Sequence, residues 1–134
     1  MSAERALYSI LSTTGAVTQL VGDRIYPVQV DQGASLPAIS YQQISGPRFY
    51  EVSHAMGWVE SRYQVNVWAA TYLDAVDLST AVMTAVSGYS GTVASLDIDH
   101  IFVTDEGDLS NLFAENSELE IHGKRIDIQI VFRE

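Results

Sequence analysis

Three histidines and a dense run of carboxylates are the side chains in this sequence whose types could do chemistry. His54, His100 and His122 are separated by 46 and 22 positions, and none forms an i, i+4 pair. Zinc sites built on histidine use closely spaced ligands, with cysteine as a frequent partner. The chain has no cysteine, so thiolate ligation, thiol nucleophiles and disulfides are excluded together. The histidines therefore read as satisfied or exposed side chains. Between Asp97 and Glu120 lie eight acids, Asp97, Asp99, Asp105, Glu106, Asp108, Glu115, Glu118 and Glu120, with no Lys or Arg among them. Asp97-Ile98-Asp99 followed by Asp105-Glu106-Gly107-Asp108 superficially resembles a calcium loop. It lacks the glycine at loop position six and the bidentate glutamate at twelve. Its default reading is a solvated acidic face. A G-x-S-x-G elbow, an H-E-x-x-H pair and a Gly-rich phosphate loop are all absent from the sequence. The expectation is no enzyme, no metal and no cofactor.

The elements that carry these residues follow from hydrophobic spacing. Ser2 is placed to cap a first helix with Ala3, Ala6, Leu7, Ile10 and Leu11 on one face. Thr13-Thr14-Gly15 interrupts it. A second short helix, Ala16 to Val21, offers Val17, Leu20 and Val21 to the same core and stops at Gly22. Tyr26 and Leu36 each precede a proline, whose ring excludes the helical region and holds them extended. Residues 28–35 read as a loop and Ala38 to Ser45 as a strand. From Trp58 to Ala69, Val59, Ser61, Tyr63, Val65 and Val67 alternate with Glu60, Arg62, Gln64, Asn66 and Trp68. That pattern predicts an antiparallel sheet with one buried face. Thr71 starts a third helix with Asp74 as an approximate capping box. Its predicted apolar stripe is Tyr72, Ala75, Val76, Val82, Met83 and Val86, ending at Gly88. Thr92–Leu96 and Ile98–Thr104 read as one bent strand or two short ones. Leu119 to Arg133 closes the chain with Ile126, Ile128, Ile130 and Phe132 alternating against polar neighbours. The fold class is α+β: one domain over 1–134, with a small antiparallel sheet of about four strands and helices packed on one face.

Composition bounds the function. The chain is 47% hydrophobic, carries 17 acids against 7 Lys plus Arg, and has a net charge of −10. That balance opposes binding to nucleic-acid phosphates, which requires Lys and Arg to displace counterions. No apolar run approaches the ~18 residues of a membrane span, so no membrane partner is expected. The first residues lack the basic and apolar regions of a signal peptide.

Two stretches, Gly46–Gly57 and Asp105–Ser117, read as loops near the length that is uncommon in compact domains and often functional. They carry Phe49, Tyr50, Val52 and Met56, and Leu109, Leu112 and Phe113. These side chains either fold back on their own core or reach a neighbouring subunit. If copies form a ring with the acids inward, the lumen is negative and repels DNA over a Debye length of ~8–10 Å. The alternative is an ordinary solvated acidic face.

With this order in place, the chain resembles the tail completion, or tail terminator, proteins of tailed phages. The resemblance is carried by the Ala6-Leu7-to-Leu11 helix, the Gly22-Asp23-Arg24-Ile25-Tyr26-Pro27 step, the Leu36-Pro37-Ala38-Ile39-Ser40-Tyr41 strand start and the closing Arg125-Ile126-Asp127-Ile128-Gln129-Ile130 strand. It implies a non-enzymatic virion subunit, assembled in the host cytoplasm, that sits at the head-proximal end of the tail. Such a subunit forms a homo-oligomer, usually a hexameric ring, on the tail tube protein. It stops tube growth and presents a surface to the head connector or stopper protein, while DNA passes through the lumen without specific binding. Three other readings remain at this point. They are a tube subunit that polymerises openly, a ligand-binding module with a pocket lined by Tyr41, Tyr63 and Trp68, and a metal-dependent enzyme using Asp97 and Asp99.

Overall fold

The computed structural model describes residues 3–30, 35–46, 48–50, 55–109 and 121–133, with 48–50 and 55–58 described as backbone. The expected Ser2 cap lies outside the described residues. The element order is α1 (Ala3–Thr13), α2 (Gly15–Val21), β1 (Ile25–Pro27), β2 (Ala38–Ser45), β3 (Arg48–Tyr50), β4 (Ala55–Ala69), α3 (Tyr72–Val86), β5 (Gly91–Val93), β6 (Leu96–Leu109) and β7 (His122–Arg133).

The class is α+β, as expected, but the sheet is larger than the expected four strands. Its order is β1-β2-β4-β7-β6-β5, with β3 paired to β4 as well. Nor is it wholly antiparallel, because β1 runs parallel to β2 through Ile25↔Ile39 and Tyr26↔Ser40. Strands of three residues give no periodic signal, which is why β1 and β3 escape a sequence reading, whereas β5 overlaps the first of the two short strands expected from Thr92. The two predicted long loops are also corrected. Residues 48–50 and 55–57 of the first are strand, since β3 pairs with β4 and β4 begins at Ala55. Residues 105–109 of the second are strand, because β6 continues to Leu109, and 110–117 lie outside the described residues.

The alternation in β4 does what its spacing predicts. Val59, Ser61, Tyr63, Val65 and Val67 are buried, and from β7 Ile126, Ile128, Ile130 and Phe132 join them. The helices cover this face. From α1 come Ala3, Ala6, Leu7, Ile10 and Leu11, and from α2 Val17 and Val21, whereas Leu20 is exposed. In α3 the buried face is Ala75, Leu78, Ser79, Val82 and Val86. The predicted stripe was rotated by a fraction of a turn: Tyr72 is exposed, and Leu78 rather than Val76 reaches the core. Thr71 Oγ1 accepts the backbone N–H of Asp74, so the expected cap is present.

The step after α2 is a clamp. Gly22 takes φ +62°, a conformation that favours glycine, and its N–H closes the helix on Thr18 O. Arg24 then donates from Nε to Pro37 O at 2.9 Å and from Nη2 to Leu20 O at 3.3 Å. One guanidinium thus ties the last carbonyls of α2 to the start of β2, and Ile39 N–H donates to Arg24 O at 2.9 Å. Arg24→Ala leaves these carbonyls to water and should lower unfolding stability by about 1–2 kcal/mol, with Arg24→Lys recovering less than half. Denaturant midpoints at unchanged m-value check this.

The β5–β6 turn carries a built-in cost. Ala94 and Ser95 both have positive φ, +50° and +64°, in the two-residue connection between the paired Val93 and Leu96. That is the turn geometry where Asn-Gly is preferred. The double substitution Ala94→Asn, Ser95→Gly should raise stability by about 1 kcal/mol, read as a rise in melting temperature.

Candidate interaction surfaces

The register of the ladders divides the sheet into a helix-covered face and a helix-free face. Opposite residues point the same way, so Glu60, Arg62, Gln64, Asn66 and Trp68 of β4 share the helix-free face with Arg125, Asp127, Gln129, Val131 and Arg133 of β7. This face is cross-linked by side chains. Gln129 donates to Glu60 at 2.9 Å and Gln64 to Asn66 at 2.8 Å. Arg125 bridges Asp127 and Asp105, the latter at 3.2 Å. Beside this network Phe102 stacks on His100 with ring centroids 4.3 Å apart, and Phe102 is 47% exposed.

The acids of the run do not share one face. Asp97 opposes Arg133 and Asp105 opposes Asp127 on the helix-free side, whereas Glu106 opposes the core residue Ile126 and Asp108 opposes Lys124. Asp99 falls where the register shifts between Ile98 and His100. Asp105 faces away from Glu106 and Asp108 because successive strand residues alternate, and the two register shifts, at 98/100 and 103/105, together return Asp97 and Asp105 to the same face. Glu115, Glu118 and Glu120 lie outside the described residues. Asp108 accepts from Lys124 at 3.0 Å and from the Tyr72 hydroxyl at 3.3 Å. The hydrogen bond from Lys124 holds its carboxyl below the usual range, and Asp108 in turn raises the Lys124 ammonium. Lys124 also sits 5.6 Å from the Tyr72 ring centre. These groups pin the start of α3 to the end of β6.

The apolar residues predicted for subunit contact separate as well. Phe49, Tyr50 and Met56 belong to one arm, the β3–β4 hairpin, in which Arg48 opposes Val59 and Tyr50 opposes Ala55. Its β4 residues 55–57 extend past Trp58, the last to pair with β7. Val52, Leu112 and Phe113 lie outside the described residues. Leu109 stands at the other end of the sheet, opposite Gly123. There Trp68 lies across Gly123 so closely that a Cβ would meet its ring at 2.6 Å and the Leu109 Cβ at 3.2 Å. From Ala55 to Trp68 along β4 is roughly 40 Å at ~3.3 Å per residue. The arm and Leu109 cannot belong to one patch on a single subunit.

The other sequence readings meet specific geometry. His100 opposes Val131 and His122 opposes Ala69, so they lie at different ends of β7; His54 is outside the described residues. Among the described residues no group of three His, Asp or Glu is placed to hold a metal ion. Tyr41, Tyr63 and Trp68 do not line a common pocket. Tyr41 and Tyr63 are buried under the helices, while Trp68 is on the opposite face and donates to Ser40 Oγ at 3.4 Å. The open cleft of about 340 Å³ lies elsewhere, between the ends of α1 and α3 and β5. It is lined by Ser9, Thr13, Thr14, Tyr89 and Thr92 among others, without a charged side chain. No described helix is long and apolar enough to cross a membrane.

The comparisons bear on this arrangement of faces and edges. Residues 5–120 match the family described as tail completion protein gp17. The chain belongs to that family. It is a structural protein of the phage tail and a virion component. A chain of the solved structure "Virion of native gene transfer agent (GTA) particle" has the same fold, with a TM-score of 0.79 and 13% sequence identity. The match covers 99% of this tail completion protein and 96% of that chain. Comparison with curated protein sequences gives no match.

Burial of Tyr63 sets an alkaline limit on the fold. Its phenol, 2% exposed, is pushed well above the ordinary tyrosine range by desolvation, with the Glu4 charge adding to the shift. The unfolded phenol ionises near pH ~10. Stability is therefore complete below that pH and falls as pH rises toward the raised native value, by about 1.4 kcal/mol per pH unit for one proton. Tyr63→Phe should reduce the slope of unfolding free energy against pH above 10 by about one proton.

Proposed function

We propose that this tail completion protein is a non-catalytic subunit that closes into a ring of its own copies on the end of the tail tube. The ring stops tube growth and offers its opposite side to the head connector. The observation that carries this reading is the family match over residues 5–120 joined to a sheet with unfinished edges. A protein built to work alone covers or shortens its sheet edges. Here a projecting hairpin and a long uncovered strand stand at opposite ends of one sheet, an arrangement suited to head-to-tail contacts, which close into rings. No step in this function needs a metal or cofactor.

The lumen is formed in this reading by the helix-free face. Its described charges, Glu60, Asp97, Asp105 and Asp127 against Arg62, Arg125 and Arg133, nearly balance. Its three arginines sit in a face that also carries acids, and Arg125 is held between Asp105 and Asp127. DNA then slides past a polar wall with little net attraction. Asp99, Glu106 and Asp108 add negative charge at the ring's margins in this reading.

The residues proposed to make contacts between copies are Phe49, Tyr50, Val52 and Met56 and, from the second stretch, Leu109, Leu112 and Phe113. The Phe49→Ala, Tyr50→Ala and Phe113→Ala variants should each weaken ring formation at least tenfold in protein concentration. Their far-ultraviolet circular dichroism should match the parent chain. Native mass spectrometry and sedimentation across a concentration series read this directly. Open tubes in place of rings would identify a tube subunit, and retained rings in all three variants would remove these residues from the interface.

A further inference from the structure

Resting on the ring reading, we infer that neighbouring copies join by continuing the β-sheet: the β6 edge over 102–109 pairs antiparallel with the β2–β3 edge over 42–50 of the next copy. Among the described residues both edges are incomplete. On the β6 side, β5 pairs only with residues 96–98. Backbone bonds from Gly88 N–H to Ile101 O and from Ile101 N–H to Tyr89 O then cover one further residue. Among the described residues nothing pairs with 102–109 on the side away from β7. On the other side, β1 pairs with 39–41, and Val28 N–H donates to Tyr41 O. Beyond Tyr41 no described strand flanks β2 or β3 on the side away from β4.

The two openings overlap in part and are offset along the strands. Following the ladders across the sheet, Tyr41 is level with Val65, Ile126 and Glu106. The covered part of β2, residues 39–41, is thus level with the open residues 106–108 of β6. Gln42 to Ser45 are level with Asp105 to Phe102, also open, and Arg48 of β3 is level with Ile98, which β5 covers. A second copy shifted along the strands brings open edge to open edge, and the stagger this requires is the kind that closing a sheet demands. Polarity agrees. β2 and β7 run one way, β4 and β6 the other, so β6 beside the next copy's β2 extends the antiparallel order.

Charge selects this pairing over the symmetric ones. Residues 102–109 carry Asp105, Glu106 and Asp108 with no base, while 42–50 carry Arg48 with no acid. Lys124 and Arg125 answer only part of the negative charge at the β6 end, because Asp127 adds to it. Two β6 edges laid together would set acids against acids, which destabilises a pair. The β2 edge also exposes Ile44, 55% accessible, which pairing would cover.

The chain has no cysteine, so engineered disulfides report the contact without background. Gln43 and Glu106 are exposed and lie three strand spacings apart within one chain. That is about 14 Å, beyond the ~7 Å limit for a disulfide. The double variant Gln43→Cys, Glu106→Cys, with Gln43→Cys, Thr104→Cys as a second register, is oxidised mildly at a concentration where native mass spectrometry shows rings. The expected result is a ladder of disulfide-linked multimers ending at ring size, with each single-cysteine variant remaining uncrosslinked. Rings that form normally while neither double variant crosslinks would overturn the edge pairing and leave the ring reading standing. Dimers from a single-cysteine variant would overturn it in favour of a symmetric contact. Chains that stay monomeric with and without tail tubes would overturn both.

Discussion

The β4–β7 ladder is the constraint on which the remainder of this structure depends. Twelve consecutive residue pairs, Trp58↔Arg133 to Ala69↔His122, run without a register shift. Because side chains alternate, that unbroken register commits one set, from Val59 to Val67 and from Ile126 to Phe132, to the core. It commits the other set to a polar face that no helix covers. A slip of one residue would exchange the two sets, so burial of the apolar set holds the register against every alternative. The register shifts fall in β2, in β6 and at the start of β4 where it pairs with β3.

Much of this was legible from spacing because the physics is local. Period 3.6 in Ala3-Ala6-Leu7-Ile10-Leu11 and period 2 in Val59 to Val67 each report a single burial partner. The closing strand was legible for the same reason. What escaped depends on long-range pairing. Three residues at Ile25–Pro27 become a strand only because Ile39 and Arg24 share a backbone bond. Residues 105–109 look like a polar loop, yet they are strand because β7 pairs with them. The two bulges break the period that would have betrayed it. In α3 apolar residues surround most of the helix, so the sequence leaves its rotation open by a fraction of a turn.

The placement of the candidate residues was not legible. Phe49, Tyr50 and Met56 were singled out as apolar residues on an excursion, and they do share one arm. Leu109 was grouped with them by the same reasoning, yet it stands at the opposite end beside Gly123 and Trp68. The acids were read as one cluster because they are close in sequence. Strand alternation sends Asp105 and Asp108 to different faces because β6 continues to Leu109, through residues whose types read as a loop. Arg24 appeared in the sequence only as part of a step between prolines. Its signal was the juxtaposition of a helix-ending glycine with an arginine two residues later, a pairing that can satisfy terminal carbonyls.

The family and the fold make this a structural protein of the phage tail, and the edges left open among the described residues support the proposal that it acts by shape toward its own copies. Electron cryo-microscopy of tail tubes incubated with the purified chain tests that claim most directly. The account predicts one closed ring at a single end of each tube, with the helix-free sheet face lining the channel. Tubes that bind no copies of the chain, or that bind isolated single copies along their length, would contradict it.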